Sequence, residues 1–254
     1  MDQHRAGTEA MMPKVFAFFR GATAILLFAL FGVGGIVISP LMALLRKPEF
    51  CQPVVRSLWV CFVSIMRLSG IIGVEFRSGG QSIRGCVIAA NHPSLIDVVL
   101  ITALVPKTLF VAKPALLHNP CMAAIVRHAT IPLDEHLPEV AGRYLKRGWN
   151  LLVFPEGTRS PESGFHPFHR GVAQLVLRTG AGLACIGMRT SRRILGKRQP
   201  PWDVGDKRVE YFISADNPTH HPADCSRALR PLAVRLTDEI RRRIETLAGV
   251  TSQE

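Results

Sequence analysis

A run of 25 residues without a charged side chain, residues 21–45, most constrains what this chain can fold into. As one α-helix it would reach roughly 37 Å, enough to cross the hydrocarbon core of a bilayer. Gly32, Gly34, Gly35 and Pro40 weaken a straight helix, and Lys and Arg residues flank the run on both sides. The run therefore favours a hairpin or a shallow helix pair in one leaflet over a single span. A core helix of a soluble protein is the alternative.

A second helix is predicted for residues 53–68, an apolar stretch that contains Trp59 and Phe62 and has basic residues near its ends. The two stretches together predict an N-terminal membrane-associated helical segment, residues 1–70. No small-residue cleavage site followed by a polar mature start is evident, which disfavours a secretory signal peptide. Residues 71–254 are predicted to form one further domain.

The chain carries 31 Lys and Arg residues against 19 Asp and Glu, a net charge of +12, which favours an acidic partner. Nucleic acid is disfavoured because there are only two tyrosines and no aromatic residues interleaved with the basic clusters. Anionic lipid and an acidic carrier protein remain. The six cysteines are scattered without a Cys-x-x-Cys pair, so we expect buried thiols in a reducing compartment and no metal site.

Beyond residue 71, short apolar runs alternate with helical stretches, which is the pattern of an α/β layer fold. We expect a mixed, largely parallel sheet of about seven strands flanked by helices. The predicted strands are residues 74–77, 86–90, 108–112, 130–133, 151–154, 184–188 and 209–214. The predicted helices are residues 95–104, 120–127, 138–147, 171–179 and 231–247.

Residues 86–99, CVIAANHPSLIDVV, place a histidine between a predicted buried strand and a predicted helix. Asp97 follows His92 by five residues, about one turn inside that helix. Imidazole can accept a hydroxyl proton near neutral pH and return it, provided that a carboxylate fixes its tautomer. The pair therefore predicts acid–base chemistry. The alternative is that His92 helps to cap the helix and that Asp97 favours its positive end.

Residues 151–160, LLVFPEGTRS, run from another predicted buried strand into a loop suited to a phosphate. Gly157 permits a tight turn, and Thr158 and Ser160 offer hydroxyl donors. Arg159 can bind a phosphate through two hydrogen bonds. For the loop on its own, an ordinary turn with a surface arginine is the alternative.

Three stretches in this order, NHPSLID, VFPEGTRS about sixty residues later and then FHRG, resemble the glycerolipid acyltransferases of the 1-acylglycerol-3-phosphate acyltransferase family. The resemblance covers roughly residues 70–215. Its two main elements are the family's His-x4-Asp (HX4D) and EGTR motifs. FHRG leads into a predicted helix whose N-terminal amides would add to an anion site.

The resemblance implies a role for each motif residue. His92 would be the general base that removes the acceptor's hydroxyl proton, and Asp97 would orient its imidazole. The acceptor head group would be positioned by the loop and by one upstream lysine, that is by Glu156, Gly157, Thr158, Arg159 and Lys113.

The resemblance also implies the reaction and its place. A fatty acyl group would pass from an acyl carrier protein or coenzyme A thioester to a lysophosphatidate-like acceptor, in phospholipid biosynthesis. No metal and no cofactor beyond that thioester are implied. The protein would lie at the inner, cytoplasmic membrane with its active site facing the cytoplasm.

Three places depart from the family pattern. Asp134 and Glu135 stand where the family often carries an arginine for the acceptor phosphate, Gly187 where proline is common, and Pro93 where a polar residue is more frequent. Gly187 still allows a close backbone approach, and Pro93 suits the first position of a helix. A carboxylate repels a phosphate, so another lipid acceptor, such as a lyso-aminolipid, is an alternative. A non-catalytic membrane-binding protein with the same fold is a further one.

Overall fold

The computed structural model describes residues 2–45, 48–79, 82–112, 129–194, 199, 203–223 and 229–250. Within this part of the chain, an eight-stranded mixed sheet lies between two layers of helices. The helices are α1 (Asp2–Leu45), α2 (Pro48–Leu68), α3 (Asp97–Leu104), α4 (Leu137–Lys146), α5 (Gly171–Thr179) and α6 (Leu229–Ala248). The strands are β1 (Ile72–Ser78), β2 (Cys86–Ala90), β3 (Thr108–Ala112), β4 (Thr130–Pro132), β5 (Asn150–Val153), β6 (Gly182–Thr190), β7 (Val209–Ala215) and β8 (Thr219–His220).

The strands are arranged in the order β1-β7-β6-β2-β5-β3-β4, with β8 beside β6. From β6 to β4 every neighbouring pair is parallel, whereas β7 runs antiparallel to β6 and β1 runs parallel to β7. The predicted mixed, largely parallel sheet is therefore confirmed. The carboxyl ends of β2, β5 and β6 meet at one edge of the sheet.

Alternate residues of the central strand β2 enter two separate cores. Ile88 packs into the core beneath α1, α2 and α3, whereas Val87 and Ala89 pack into the core beneath α4, α5 and α6. All five residues of β2 are buried. A strand covered on both faces needs apolar side chains throughout, which is why this stretch reads as an unbroken apolar run.

The uncharged run lies within a single long helix, α1, which continues through its glycines and Pro40 without interruption. Helix α1 forms a hairpin with α2. The rings of Phe28 and Phe31 lie edge-on to the ring of Phe62 in α2, at centroid distances of 5.3 and 5.0 Å. The expected helix pair is thus present, although the glycines and the proline do not break its first member.

Polar side chains of this hairpin also bind the sheet region. The guanidinium of Arg20 donates to the backbone carbonyls of Ile71, at 3.2 Å, and Lys207, at 2.9 Å. The side-chain amide of Gln52 donates to the carbonyl of Thr108, at 3.2 Å. These bonds fix both helices against the domain that carries the motifs.

Beyond residue 71, the described elements begin and end within two residues of their predicted bounds. Strand β8 was not predicted because it has only two residues. Helix α3 begins at Asp97, so this residue is the first of the helix and not one turn inside it. Pro93 therefore precedes the helix and does not occupy its first position. The predicted helix at residues 120–127 lies outside the described residues.

Gly187 of β6 lies against the carboxyl end of α6. A methyl group at this position would collide with the backbone of Leu247 and Ala248. The close approach expected of a glycine here is therefore an approach between strand and helix, and a side chain of any size would push α6 away from the sheet.

Candidate active site

The two sequence motifs meet at the carboxyl ends of β2 and β5, which are hydrogen-bonded neighbours. His92 follows β2 by two residues, and the loop of residues 154–160 follows β5. Asn91, the residue between β2 and His92, ties this chain segment to β6. Its side-chain amide donates to the Met188 carbonyl at 2.9 Å and accepts from the Met188 N–H at 2.7 Å. Open α/β sheets place their ligands at this edge.

His92 and Asp97 are in direct contact, with 2.9 Å between Nδ1 and Oδ2. An ionised carboxylate only accepts hydrogen bonds, so Nδ1 carries the ring proton and Nε2 carries the lone pair. The side chain of Asp97 is fully buried, whereas that of His92 is 14% exposed. The arrangement leaves Nε2 as the basic atom of the site.

Ser94 holds Asp97 in place. Its backbone N–H donates to Asp97 Oδ2 at 2.6 Å, and its hydroxyl donates to Oδ1 at 2.8 Å. Hydrogen bonds to a charged acceptor are strong, and they offset the free-energy cost of removing the Asp97 carboxylate from water. Both oxygens of Asp97 are thus engaged, which fixes the direction of its bond to His92.

The ring of His92 lies flat on the ring of Phe154. Their centroids are 4.1 Å apart and their planes differ by 18°. Phe154 follows β5 and packs against the core beneath α1, α2 and α3. The stack sets the plane of the imidazole and places it on the same face of the sheet as the N-terminal hairpin.

Glu156 and Ser160 join the loop to the backbone of His92. The His92 N–H lies 3.3 Å from Glu156 Oε1 and 3.1 Å from Ser160 Oγ, and the Ser160 N–H donates to the His92 carbonyl at 2.7 Å. The Ser160 hydroxyl donates to Glu156 Oε1, and the His166 N–H donates to Oε2 at 2.9 Å. Glu156 is buried. Its carboxylate serves the loop, so any part in positioning the acceptor would be indirect.

Gly157, Thr158 and Arg159 lie half-buried at the tip of this loop. Gly157 has a φ of +62°, and its N–H donates to the Phe154 carbonyl at 3.0 Å. The predicted tight turn is therefore present, in a backbone conformation that favours glycine. The FHRG stretch lies beside it, since the His169 N–H donates to the carbonyl that precedes Glu156, at 2.8 Å. Binding of an anion by these groups stays a prediction.

Three more residues bear on the predicted acceptor site, one as a predicted contact and two as departures from the family pattern. Lys113 lies outside the described residues. Asp134 and Glu135 are exposed at the end of β4, the edge strand three positions from β2. Strands lie about 4.8 Å apart, so this offset is roughly 14 Å. Asp134 Oδ1 accepts from the His136 N–H at 3.0 Å, at the start of α4. These carboxylates are peripheral to His92.

The contributors to the site that were not predicted include Asn91, Ser94, Phe154, Arg193 and Tyr211. Ser94 lies within the first motif, three residues before Asp97, so its spacing was a usable signal. Arg193 donates to the Ser160 carbonyl at 2.7 Å, and the Tyr211 hydroxyl lies 3.2 Å from Ser94 Oγ. No local pattern marks these two. In the described ranges no group of three or more His, Cys, Asp or Glu side chains could hold a metal ion.

Residues 74–189 match a family model described as Acyltransferase, and this segment contains both motifs. This segment, just under half of the chain, therefore belongs to the acyltransferase family. The resemblance carried by NHPSLID, VFPEGTRS and FHRG is thereby confirmed. The matched segment begins within β1 and ends near the last residue of β6.

Several curated relatives of this chain are named 1-acyl-sn-glycerol-3-phosphate acyltransferase. The Cocos nucifera protein is 34% identical over 119 residues, which are 43% of this chain and 37% of the relative. The Escherichia coli (strain K12) protein is 27% identical over 139 residues, 49% of this chain and 57% of the relative. A Pseudomonas aeruginosa protein named lyso-ornithine lipid O-acyltransferase is 27% identical over 154 residues, 56% of this chain and 57% of the relative. The chain thus covers less than two thirds of each.

A solved structure shares the fold of this chain. It is the 1-acyl-sn-glycerophosphate (LPA) acyltransferase PlsC from Thermotoga maritima, with a TM-score of 0.69 at 22% identity. The match covers 95% of this chain and all of that one. The shared fold therefore extends well beyond the segment that the family model matches.

Proposed function

We propose that this chain transfers a fatty acyl group from an acyl thioester to a hydroxyl of a lysophosphatidate-like acceptor. The observation that carries the proposal is the 2.9 Å contact between His92 Nδ1 and Asp97 Oδ2, which leaves Nε2 to accept a proton beside the EGTR loop. The family and the names of the relatives support acyl transfer to such an acceptor. The donor is a thioester of acyl carrier protein or coenzyme A, and the reaction belongs to phospholipid biosynthesis.

His92 Nε2 takes the proton of the acceptor hydroxyl, and the alkoxide attacks the carbonyl carbon of the thioester. The new C–O bond forms a tetrahedral intermediate, whose C–S bond then breaks and releases a thiolate. The imidazolium returns its proton to the sulfur. Asp97 stabilises the imidazolium and keeps the ring in the tautomer that this cycle needs.

Direct attack fits the site better than a covalent acyl-enzyme. The Ser94 hydroxyl donates its proton to Asp97 and not to His92, so it is not activated as a nucleophile. Burial raises the pKa of the Cys86 thiol, and it raises the pKa of Cys185 to about 12. Both thiols stay protonated at neutral pH and are weak nucleophiles. None of these three described side chains is an activated nucleophile, which supports the acceptor hydroxyl in that role.

Arg159→Ala is expected to raise the KM for a phosphorylated acceptor about 10- to 100-fold, because hydrogen bonds between charged groups contribute about 1.5–3 kcal/mol each. The purified full-length protein would be given a labelled acyl thioester and, in turn, lysophosphatidate, lyso-ornithine lipid and monoacylglycerol. Mass spectrometry would identify the products. Arg178→Ala is the matched control, since Arg178 is exposed on α5. An unchanged KM in Arg159→Ala would contradict a phosphate grip at this loop.

A lyso-aminolipid is the second candidate acceptor. The relative named lyso-ornithine lipid O-acyltransferase favours it, because its match is longer than those of the Cocos nucifera and Escherichia coli proteins. Asp134 and Glu135 lie too far from His92 to support it by direct contact. In the same panel this candidate predicts that lyso-ornithine lipid is used at least as well as lysophosphatidate. It also predicts no effect of Arg159→Ala. If both results are observed, the acceptor is the lyso-aminolipid and not the phosphorylated lipid.

We further propose that α1 and α2 anchor the chain in the inner membrane, with the site facing the cytoplasm. Two segments, Phe18–Met42 and Glu49–Leu68, are long and apolar enough to cross a membrane by length and composition alone. Exposed apolar side chains recur along α1 at helical spacing, namely Leu26, Leu30, Val33, Val37 and Leu41. The hairpin and His92 lie on the same face of the sheet, so an amphiphilic acceptor would reach the base from the lipid.

A double replacement, Leu26→Asp with Val37→Asp, is expected to lower binding to anionic vesicles at least about tenfold, since one charged residue in the apolar region costs about 2.5–3.5 kcal/mol. The two side chains are 67% and 71% exposed, so the core is left intact. Flotation with phosphatidylglycerol-containing vesicles measures the bound fraction. Leu133→Asp is the control, because Leu133 is an exposed apolar side chain beyond β4. Equal flotation of both variants would contradict the anchor.

A further inference from the structure

Tyr211 of β7 is connected to the His92–Asp97 pair through Ser94. Its hydroxyl lies 3.2 Å from Ser94 Oγ, and the Ser94 hydroxyl lies 2.8 Å from Asp97 Oδ1. The other oxygen of Asp97 accepts from His92 Nδ1 at 2.9 Å. Four side chains thus form one hydrogen-bonded row that starts on β7, two strand positions from β2.

The direction of each bond in this row follows from the number of protons. An ionised Asp97 only accepts, so Ser94 commits its single hydroxyl proton to it. Tyr211 is then the donor in the bond between Tyr211 and Ser94. The Tyr211 hydroxyl also interacts with Thr190, whose own hydroxyl proton goes to the Arg192 carbonyl. Ser94 Oγ is therefore held from both sides, by a donor on β7 and by an acceptor on α3.

We propose that Tyr211 is a positioning residue for acyl transfer, whose hydroxyl holds Ser94 in the rotamer that fixes Asp97 against His92. This inference rests on the proposed role of His92 as the base. A serine side chain has three staggered rotamers, and the bond from Tyr211 selects the one that reaches Asp97. Tyr211 is fully buried, so it acts through Ser94 and not on the substrate.

The surroundings of Tyr211 keep its hydroxyl in the donor form. Burial and, after it, the negative charge of Asp97 raise the pKa of Tyr211 well above its ordinary value. The phenol is therefore neutral at neutral pH and retains its proton. Its ring packs in the core beneath α1, α2 and α3, which fixes the position of the hydroxyl.

Tyr211→Phe removes the hydroxyl and keeps the ring. We expect kcat to fall about threefold to tenfold, the effect of one hydrogen bond, with little change in either KM. Tyr144→Phe is the matched control, because it removes the hydroxyl of the chain's other tyrosine, on α4 at the opposite face of the sheet. A normal kcat in Tyr211→Phe overturns the inference.

A double-mutant cycle with Ser94→Ala separates positioning from packing. If Tyr211 acts through Ser94, Tyr211→Phe causes no further loss of kcat once Ser94 is alanine. If the two losses simply multiply, Tyr211 acts by another route and the inference is wrong. Both variants keep the backbone N–H of Ser94, which also donates to Asp97.

The Nδ1 proton of His92 reports the same coupling without turnover. Its NMR resonance is assigned by its loss in His92→Gln, and we expect it to move upfield in Tyr211→Phe but not in Tyr144→Phe, because a less fixed Asp97 gives a longer hydrogen bond. If the resonance moves in Tyr211→Phe but the wild-type protein transfers no acyl group, the proposed function is wrong and the connection between Tyr211 and His92 is supported. An unmoved resonance would sink the coupling, whatever the activity.

Discussion

Replacing His92 with alanine is expected to lower kcat for acyl transfer by about 10²- to 10⁴-fold, the usual contribution of a positioned general base. Nδ1 of His92 donates to Asp97, so Nε2 is the ring atom that can take the acceptor's proton. Alanine leaves this place without a base, and the residual rate then comes from substrate binding alone. Transfer from a labelled acyl thioester to lysophosphatidate measures the loss, and the KM for the acceptor should change little.

The His92→Ala protein should keep its fold. The ring is partly exposed, and the backbone groups of residue 92 that bond to Glu156 and Ser160 are retained. Circular dichroism and thermal unfolding check this. His136→Ala is the control, since its imidazole is 70% exposed at the far edge of the sheet. Transfer at the wild-type rate by His92→Ala would refute the base.

Asp97→Asn is expected to lower kcat by a similar factor, about 10²- to 10⁴-fold, although the side chain hardly changes in shape. The carboxylate accepts from the Ser94 N–H, the Ser94 hydroxyl and His92 Nδ1. An asparagine presents an NH₂ group to at least one of these donors. Where it faces His92, the imidazole takes the other tautomer, in which Nε2 holds a proton and accepts none. Steady-state kinetics should show a lower kcat at a nearly unchanged KM.

Asp134→Asn makes the same chemical change at an exposed carboxylate away from His92, and we expect it to keep wild-type kcat. Comparing the two variants shows whether kcat depends on the charge of Asp97 in particular or on the loss of any one carboxylate. Should Asp97→Asn retain the wild-type kcat, the ring of His92 would need no charged partner, and the orienting role of Asp97 would be wrong.

The centre of the sheet and the two motifs could be predicted because their signals are local. β2, β3 and α5 begin and end at the predicted residues, since short apolar runs bounded by turn residues leave few other structures. His92 and Asp97 are five residues apart, so the turn between strand and helix alone brings them together. The same spacing misplaced Asp97 within the helix, because the turn takes up two more residues than expected.

The rest of the site depends on contacts between residues far apart in the chain. Ser160 bonds to His92 across 68 residues, and Tyr211 bonds to Ser94 across 117. Such contacts follow from the strand order, which an alternating pattern of strands and helices does not determine. The burial of Glu156 could not be predicted for a different reason. A glutamate in a loop is normally exposed, and it is buried only where other segments supply hydrogen-bond partners.

The shared core of hairpin and sheet has a practical consequence for handling this protein in water. Leu27 of α1 and Phe62 of α2 are buried together with Ile88 of β2 and Tyr211 of β7. Deleting residues 1–70 would expose that side of the sheet to water. It would also expose the ring of Tyr211, whose hydroxyl bonds to Ser94. To obtain a variant that stays soluble without detergent, we therefore expect polar replacements of the exposed apolar side chains of α1 to work better than deletion of the hairpin.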